Sequence, residues 1–268
     1  MTLLQVILLG ILQGLTEFLP VSSSGHLVIV PYLLKWPNPG LVVDAMLHLG
    51  TILAVIVYFW KDLWQLAIAA LQSLQKRSLA DPNARLAWCL ALATIPGAVG
   101  GLLLEDMFET WFGMPKAAAG FLLGTAALLL LAEFLGKKTR TLTALSWIEA
   151  LIIGFAQMFA IAPGLSRSGA TIATGMLLGY RRDEAARFSF LLSVPIILGS
   201  GGYQILKIFG ESIGNVSWGM LGAGIAAAAI SGYLAITGLL ALVRRQSLWP
   251  FAVYCAVFAT LVLTGILQ

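Results

Sequence analysis

Two short stretches place reactive groups inside a sequence that is otherwise apolar. The first carries an acid at Glu17, three consecutive hydroxyls that end at Ser24, and an imidazole at His26. The second carries a guanidinium at Arg167, flanked by serines. Ionisable groups are expensive to keep at membrane depth, so their default interpretation is a functional site.

The chemistry that these groups favour is the binding and cleavage of a phosphate or diphosphate. A guanidinium holds two phosphate oxygens at once, and hydroxyls and the free N–H groups of a helix start can complete such a site. A serine grouped with a histidine and an acid can be activated for attack on phosphorus. Spacing alone does not decide which serine attacks, or whether water does. One stretch contributes Glu17, Ser22, Ser23, Ser24 and His26, and the other contributes Ser166, Arg167, Ser168 and Thr171.

Several of these residues also have a structural interpretation. Arg167 could form an ion pair with Glu17 that only stabilises the helix bundle, although the adjacent hydroxyls and glycines favour binding. His26 could be a hydrogen-bonded packing residue, but its place after three serines favours a catalytic role. Three other residues are interpreted as structural: His48, Glu133 and Glu149. Of these, His48 has the alternative of lining the same cavity as the two polar stretches.

The composition is that of an integral membrane protein. Of the 268 residues, 59% are hydrophobic and only 10% are charged, whereas a soluble domain carries about 25% charged residues. The apolar segments have helix length and lack the short alternation of an outer-membrane barrel, so the fold class is an all-α polytopic membrane protein. The net charge of +4 does not indicate a nucleic-acid partner, since the basic residues cluster in loops. Cys89 and Cys255 lie in apolar runs and are predicted to be packing residues.

The polar stretches interrupt helices, and the interrupted segments occur twice. Residues 3–34 and 146–179 are each predicted to form a broken or re-entrant helix pair, because neither helix of a pair is long enough to span about 30 Å alone. The last helix of the second pair is predicted to cover 170–179. Gln13 lines up with Gln157 at an offset of 144 residues, and a glycine stands three residues before each. We predict one integral membrane domain, with repeat 1 at 1–140 (pair 3–34, spans 42–60, 86–104 and 117–136) and repeat 2 at 145–268 (pair 146–179, spans 187–206, 217–243 and 250–267).

Three spans per repeat is an odd number, so the second repeat must be inverted in the membrane. The expected architecture is an inverted-topology repeat with about six full spans plus two broken or re-entrant helix pairs.

Residues 63–74 are predicted to form an amphipathic connection along the interface. With Lys61 in the cytoplasm, 12 of the 16 lysines and arginines fall inside, as the positive-inside rule requires. These twelve are Lys61, Lys76, Arg77, Arg85, Lys137, Lys138, Arg140, Arg181, Arg182, Arg187, Arg244 and Arg245.

The two polar stretches resemble the signature motifs of a known family. Residues 13–26 contain Gln-x-x-x-Glu followed by Pro-Val-Ser-Ser-Ser-Gly-His, and residues 163–171 read Pro-Gly-Leu-Ser-Arg-Ser-Gly-Ala-Thr. Both are similar to motifs of the bacterial undecaprenyl-diphosphate phosphatases, and the resemblance covers essentially the whole chain. It implies hydrolysis of a C55 polyprenyl diphosphate lipid to the monophosphate on the outer side of the bacterial plasma membrane. That reaction recycles the lipid carrier for peptidoglycan synthesis and confers bacitracin resistance.

The resemblance also implies roles for individual residues. It implies dependence on Mg²⁺ or Ca²⁺, and Glu17 is expected either to orient His26 or to help hold the metal ion. Many members of the family have glutamate where this chain has Gln13, which weakens any scheme that needs two carboxylates on a metal. The residues implied as catalytic are Glu17, Ser23, His26 and Arg167, and those implied in substrate binding are Gln13, Ser22, Ser24, Gly25, Gly164, Ser166, Ser168 and Thr171.

The rival function is transport. Inverted repeats with broken helices are typical of secondary transporters, so the architecture alone would favour a transporter or flippase for a phosphorylated lipid or anion. The two reactive motifs favour the enzyme instead. A purely structural scaffold leaves the buried acid, imidazole and guanidinium unexplained. The sequence leaves open the nucleophile, the metal ligands, the chain-length selectivity and the oligomeric state, a homodimer included.

Overall fold

The computed structural model describes residues 1–104, 107, 110–111, 113–208 and 216–266. Ten α-helices account for most of this part of the chain, and a short 3₁₀ turn covers Leu142–Ala144. The helices are α1 (Leu3–Phe18), α2 (Ser23–Leu33), α3 (Gly40–Lys76), α4 (Pro82–Leu103), α5 (Pro115–Leu135), α6 (Trp147–Phe159), α7 (Arg167–Leu177), α8 (Arg182–Ile208), α9 (Trp218–Val243) and α10 (Trp249–Leu263).

The described helices form an all-α polytopic membrane protein. Five of them are long and apolar enough to cross a membrane, namely α3, α4, α5, α8 and α9. The 15-residue α10 is shorter than the predicted span 250–267, since a hydrocarbon core of about 30 Å needs about 20 helical residues. Residues 267–268 lie outside the described part. The structure therefore gives five full-length helices where about six spans were expected.

The long helix α3 corrects the prediction for the segment after the first span. Residues 63–74 were expected to form a separate amphipathic connection, but α3 continues through them to Lys76. The backbone departs from helical geometry at Phe59 (φ −101°, ψ 18°) and then resumes. No proline or glycine lies between residues 51 and 76 to end the helix. It ends where Arg77 adopts the left-handed conformation, with φ 49°.

The helices that carry the two breaks pack against long helices distant in sequence. α1 packs against α9 and α6 packs against α4, while α3 contacts α8 and α10 contacts α5. The first helix of each half of the chain thus packs against the fourth helix of the other half. The repeat boundaries 1–140 and 145–268, and the inversion of the second repeat, stay predictions.

The end of α1 is anchored in the main hydrophobic core. Phe18 is fully buried, and its ring meets that of Phe190 from α8 edge to face, with centroids 5.4 Å apart. Phe59, at the irregular turn of α3, packs beside Phe190. Aromatic packing of this kind holds a helix end rigidly. The residue before Phe18 therefore has a fixed position, and that residue is Glu17.

Candidate active site

The two chain breaks lie directly against each other. A Cβ added to Gly25 would lie 2.9 Å from the Cα of Gly164. Gly164 itself has φ +99°, and a Cβ there would lie 1.9 Å from the carbonyl oxygen of Ala118 in α5. The left-handed backbone and the close approach both require glycine at this position. This contact brings the first turns of α2 and α7 together.

The two breaks are built in the same way. Ser22 caps α2 and Ser166 caps α7, and each hydroxyl accepts a hydrogen bond from the backbone N–H three residues later, at 3.2 and 3.0 Å. In both cases the capping hydroxyl also lies 3.2 Å from the serine hydroxyl two residues on. Serine is a preferred residue at this position because it satisfies a free N–H group of the helix start. Ser23 and Arg167 therefore both stand at the first helical position.

This capping corrects the predicted start of the second helix. The helix was expected at 170–179, but α7 begins at Arg167 and ends at Leu177. Gly169 lies before the predicted start, but it belongs to the first turn of α7, where its N–H donates to the capping hydroxyl of Ser166. The guanidinium consequently projects from a regular first turn rather than from a loop.

Glu17 is the residue at which both first turns meet. Its side chain is 7% exposed, and its Oε1 accepts a hydrogen bond from Nη2 of Arg167 at 2.5 Å. Its Oε2 accepts one from Oγ of Ser23 at 2.5 Å and one from Nε2 of Gln13, a helical turn earlier, at 3.1 Å. The ion pair weighed as a structural alternative is thus present, but the second carboxylate oxygen holds a serine hydroxyl. A buried acid paired with a hydroxyl is positioned to accept its proton.

Arg167 and the residues after it are held by α8 and by the first break. Nη1 of Arg167 lies 3.4 Å from the carbonyl oxygen of Ser189, to which it donates. The Ser189 hydroxyl is 2.7 Å from that of Thr171. The Ser168 hydroxyl donates to the carbonyl oxygen of Leu19 at 3.1 Å, which ties α7 to the end of α1. Ser168 and Thr171 therefore orient the first turn of α7.

Two polar residues of the site were missed by the sequence analysis. Ser189 is one, and Thr125 of α5 is the other; both are buried. Thr125 donates to the carbonyl oxygen of Gly164 at 3.0 Å and accepts from the N–H of Ser166 at 2.8 Å. Buried hydroxyls in apolar helices often bridge neighbouring helices, which is the signal that could have identified both.

The side chain of His26, in α2, does not point towards Glu17 but towards α10. Its Nδ1 is 2.7 Å from the carbonyl oxygen of Ser22, and its Nε2 is 2.7 Å from the hydroxyl of Tyr254 in α10. The imidazole is 2% exposed and stacks on the rings of Tyr254 and Phe258. The structure brings Ser23 to Glu17 but does not bring His26 there, so the expected grouping of serine, histidine and acid is not formed.

The histidine beside the acid is His48. Its Nε2 lies 3.6 Å from Oε2 of Glu17, and its Nδ1 is 2.7 Å from the carbonyl oxygen of Asp44. The sequence analysis interpreted His48 as structural, and the bond to the Asp44 backbone fits that interpretation. Its side chain is 28% exposed, so it also forms part of the rim of the site.

The second half of the chain has no equivalent of the acid. Gln157 corresponds to Gln13 at the offset of 144 residues, but Ile161 stands where Glu17 would be expected. Gln157 is buried, and neither polar atom of its amide has a hydrogen-bond partner in the described part of the chain. The site is therefore asymmetric, since the second break lacks the acid.

The residues of the site do not form a metal cage. The described residues contain no cluster of three or more histidine, cysteine, aspartate or glutamate side chains. Both oxygens of Glu17 already accept hydrogen bonds from Arg167 and Ser23. Mg²⁺ and Ca²⁺ prefer six or more oxygen ligands, and the protein offers far fewer here.

Comparison with known proteins identifies the family. Residues 6–261 match the family model described as "Bacitracin resistance protein BacA". The chain is 42% identical over 263 residues to the undecaprenyl-diphosphatase of Thioalkalivibrio sulfidiphilus, with 98% of each chain covered. It is 47% identical over 263 residues to the undecaprenyl-diphosphatase of Rubrobacter xylanophilus, with 97% of each chain covered. A third relative of that name, from Moorella thermoacetica, is 44% identical over 98% of this chain and 97% of its own. The chain belongs to the BacA family of bacitracin resistance proteins.

Proposed function

We propose that this protein hydrolyses undecaprenyl diphosphate to undecaprenyl phosphate and inorganic phosphate. The observation that carries the proposal is the buried carboxylate of Glu17, which holds a serine hydroxyl on one oxygen and a guanidinium on the other. Relatives that match almost the full length are named for this activity. The reaction returns the lipid carrier to peptidoglycan synthesis and gives resistance to bacitracin.

Arg167 is the phosphate anchor in this scheme. Its planar fork suits two phosphate oxygens, and the first-turn N–H groups of α7 add a positive helix end. An incoming diphosphate replaces Glu17 as the partner of the guanidinium. The carboxylate is then free to accept a proton, while Arg167 stabilises the charge that develops on the transferred phosphoryl group.

Ser23 is the nucleophile that the geometry supports. Its hydroxyl donates to Glu17 at 2.5 Å, so the carboxylate takes the proton as the oxygen attacks the terminal phosphorus. The bond to the bridging oxygen breaks and undecaprenyl phosphate leaves. Water then hydrolyses the phosphoserine, inorganic phosphate departs, and the proton returns from Glu17 to the serine. In this scheme Glu17 performs the proton transfer that the sequence analysis assigned to His26.

A divalent cation would enter this scheme together with the substrate. Since the described residues form no metal-binding cluster, Mg²⁺ or Ca²⁺ would take most of its ligands from diphosphate oxygens and water. Glu17, which contacts the proposed nucleophile, is the residue that would help hold the cation. The cation is proposed to neutralise phosphate charge during binding.

The site is proposed to open on the outer face of the bacterial plasma membrane. The predicted distribution of basic residues supports this orientation. A membrane-impermeant thiol reagent should label Asn38→Cys, in the exposed loop after α2, from outside intact cells. Ser78→Cys, exposed after α3, should be labelled only after permeabilisation. All residues of the proposed mechanism come from one chain, so the scheme does not need a homodimer.

Phosphate release by the purified protein tests the function. Wild-type protein in detergent should release phosphate from undecaprenyl diphosphate, and Arg167→Ala should lose this activity. Arg244→Ala, at an exposed position after α9, is the matched control and should retain it. A wild type that releases no phosphate but exchanges the lipid across liposomes would support the transporter instead.

A further inference from the structure

The residue before the proposed nucleophile has an unusual backbone conformation. Ser22 has φ 69° and ψ 98°, a region that residues other than glycine adopt only when their surroundings hold them there. Because Ser22 directly precedes Ser23, its conformation sets the direction in which Ser23 leaves the helix start. Whatever holds Ser22 therefore also controls the hydrogen bond between Ser23 and Glu17.

The imidazole of His26 is the side chain that holds Ser22. The carbonyl oxygen of Ser22 accepts a hydrogen bond from the backbone N–H of His26 at 3.2 Å and faces its Nδ1 at 2.7 Å. A carbonyl oxygen can only accept, so Nδ1 carries a proton and donates it. The same side chain thus closes the turn that the capping hydroxyl of Ser22 begins.

The other nitrogen of His26 is occupied by Tyr254. With the proton on Nδ1, Nε2 of the neutral ring is an acceptor, and the Tyr254 hydroxyl at 2.7 Å donates to it. The imidazole lies almost parallel to the rings of Tyr254 and Phe258, at 9° and 13°. No carboxylate contacts His26 in the described part of the chain. Both nitrogens are therefore used within the protein, and neither faces Ser23 or Glu17.

A second contact joins the same turn of α10 to the first break. The thiol of Cys255 donates to the carbonyl oxygen of Pro20 at 3.7 Å, next to the contact made by Tyr254. The main packing partner of α10 is α5, and Cys255 also belongs to the hydrophobic cluster between these two helices. The last helix of the chain thus contacts both the beginning of the break, at Pro20, and its end, at Ser22 through His26.

We infer that Tyr254 and His26 form a positioning pair that holds Ser22 in its unusual conformation and so directs Ser23 to Glu17. The Tyr254 hydroxyl fixes the imidazole, and the imidazole fixes the Ser22 carbonyl. His26 neither accepts nor releases a proton during the reaction. Tyr254 is a positioning residue that acts through His26. The inference rests on the proposed phosphatase function of the site.

Substitution of His26 separates positioning from proton transfer. His26→Asn keeps a short N–H donor for the Ser22 carbonyl but cannot titrate, so kcat should stay within about tenfold of the wild type, the scale of one weakened hydrogen bond. His26→Ala removes the donor and should reduce kcat much further, with KM unchanged in both. If His26 transferred the proton, both variants should fall together by about 10²- to 10⁴-fold.

Substitution of Tyr254 tests the second half of the pair. Tyr254→Phe keeps the stacked ring but removes the donor to Nε2, and it should lower kcat several-fold, up to about tenfold, without changing KM. The control is Tyr233→Phe in α9, whose ring is 42% exposed against 44% for Tyr254 and contacts Tyr58. That variant should match the wild type.

Thermal unfolding and gel filtration in detergent show which variants are folded, and only folded variants are compared. A folded His26→Asn protein that is as inactive as His26→Ala would overturn the inference, and so would a Tyr254→Phe protein with wild-type kcat. A wild type that releases no phosphate would instead overturn the proposed function. The two failures are therefore distinguishable.

Discussion

Ser23 and Arg167 stand at the same position of two identically capped helices, and each donates a hydrogen bond to a different oxygen of Glu17. One helix start presents the proposed nucleophile and the other presents the proposed phosphate anchor. The two starts share their capping hydrogen bonds but differ in the backbone of the cap residue, φ 69° at Ser22 against −64° at Ser166, and in the side chain at the first helical position. Two similarly capped helix starts thus supply a site in which each is proposed to perform a different task.

The pairing of Glu17 with Arg167 predicts strong energetic coupling. Removal of Arg167 alone leaves a buried uncompensated carboxylate, and breaking a buried pair in this way costs about 3–5 kcal/mol. Arg167→Gln should therefore destabilise the protein markedly, and Glu17→Gln in the same chain should restore part of the loss. A double-mutant cycle of unfolding free energies in detergent measures the coupling, which should reach about 1–3 kcal/mol. Additive effects would show that the two charges are screened from each other.

The hydrogen bond from Ser23 to Glu17 predicts a covalent intermediate. Acid-quenched wild-type protein should carry phosphate on Ser23, detectable by mass spectrometry of its peptides, and Ser23→Ala should lose both this adduct and phosphate release. Ser200→Ala, an exposed serine of α8, is the control and should keep both. Full activity in Ser23→Ala would point to direct attack by water.

The spacing of the motifs was sufficient to predict the centre of this site. An acid four residues after Gln13, and a guanidinium between serines after a proline–glycine break, predicted two interrupted helices that meet. The structure places Glu17 and Arg167 in contact, which is the ion pair that the sequence offered as the structural alternative to phosphate binding. Such local signals are reliable because caps, glycines and charges within apolar segments act over only a few residues.

The remaining parts of the site depend on helices that carry no local signal. Ser189, Thr125 and Tyr254 reach the breaks from α8, α5 and α10, and each reads as an ordinary residue of an apolar helix. Proximity in sequence suggested a role for His26 beside Glu17. The direction in which His26 points is instead set by those long-range contacts. Tertiary packing, rather than spacing, decides which of two nearby polar groups meets a given acid.

The contact between the breaks predicts that Gly164 cannot be replaced. A Cβ at this position would overlap the Ala118 carbonyl, and its positive φ adds further strain. Gly164→Ala should therefore lower the midpoint of thermal unfolding sharply or prevent accumulation of folded protein. Gly120→Ala in α5 is the control, since a Cβ there meets nothing within 4 Å and alanine favours the helix by about 0.5–1 kcal/mol. Equal effects of the two substitutions would contradict the close crossing of the breaks.

The lack of a protein cage predicts how chelation affects the enzyme. Since a divalent cation would be held mainly by diphosphate oxygens and water, EDTA should reduce phosphate release, and added Mg²⁺ or Ca²⁺ should restore it. The thermal unfolding midpoint of the substrate-free protein should not change with either treatment, because a ligand stabilises a fold only when the folded protein binds it. Differential scanning fluorimetry and a phosphate-release assay on the same sample measure both quantities. A midpoint that falls with EDTA in the absence of substrate would instead show that the folded protein holds the cation with its own side chains.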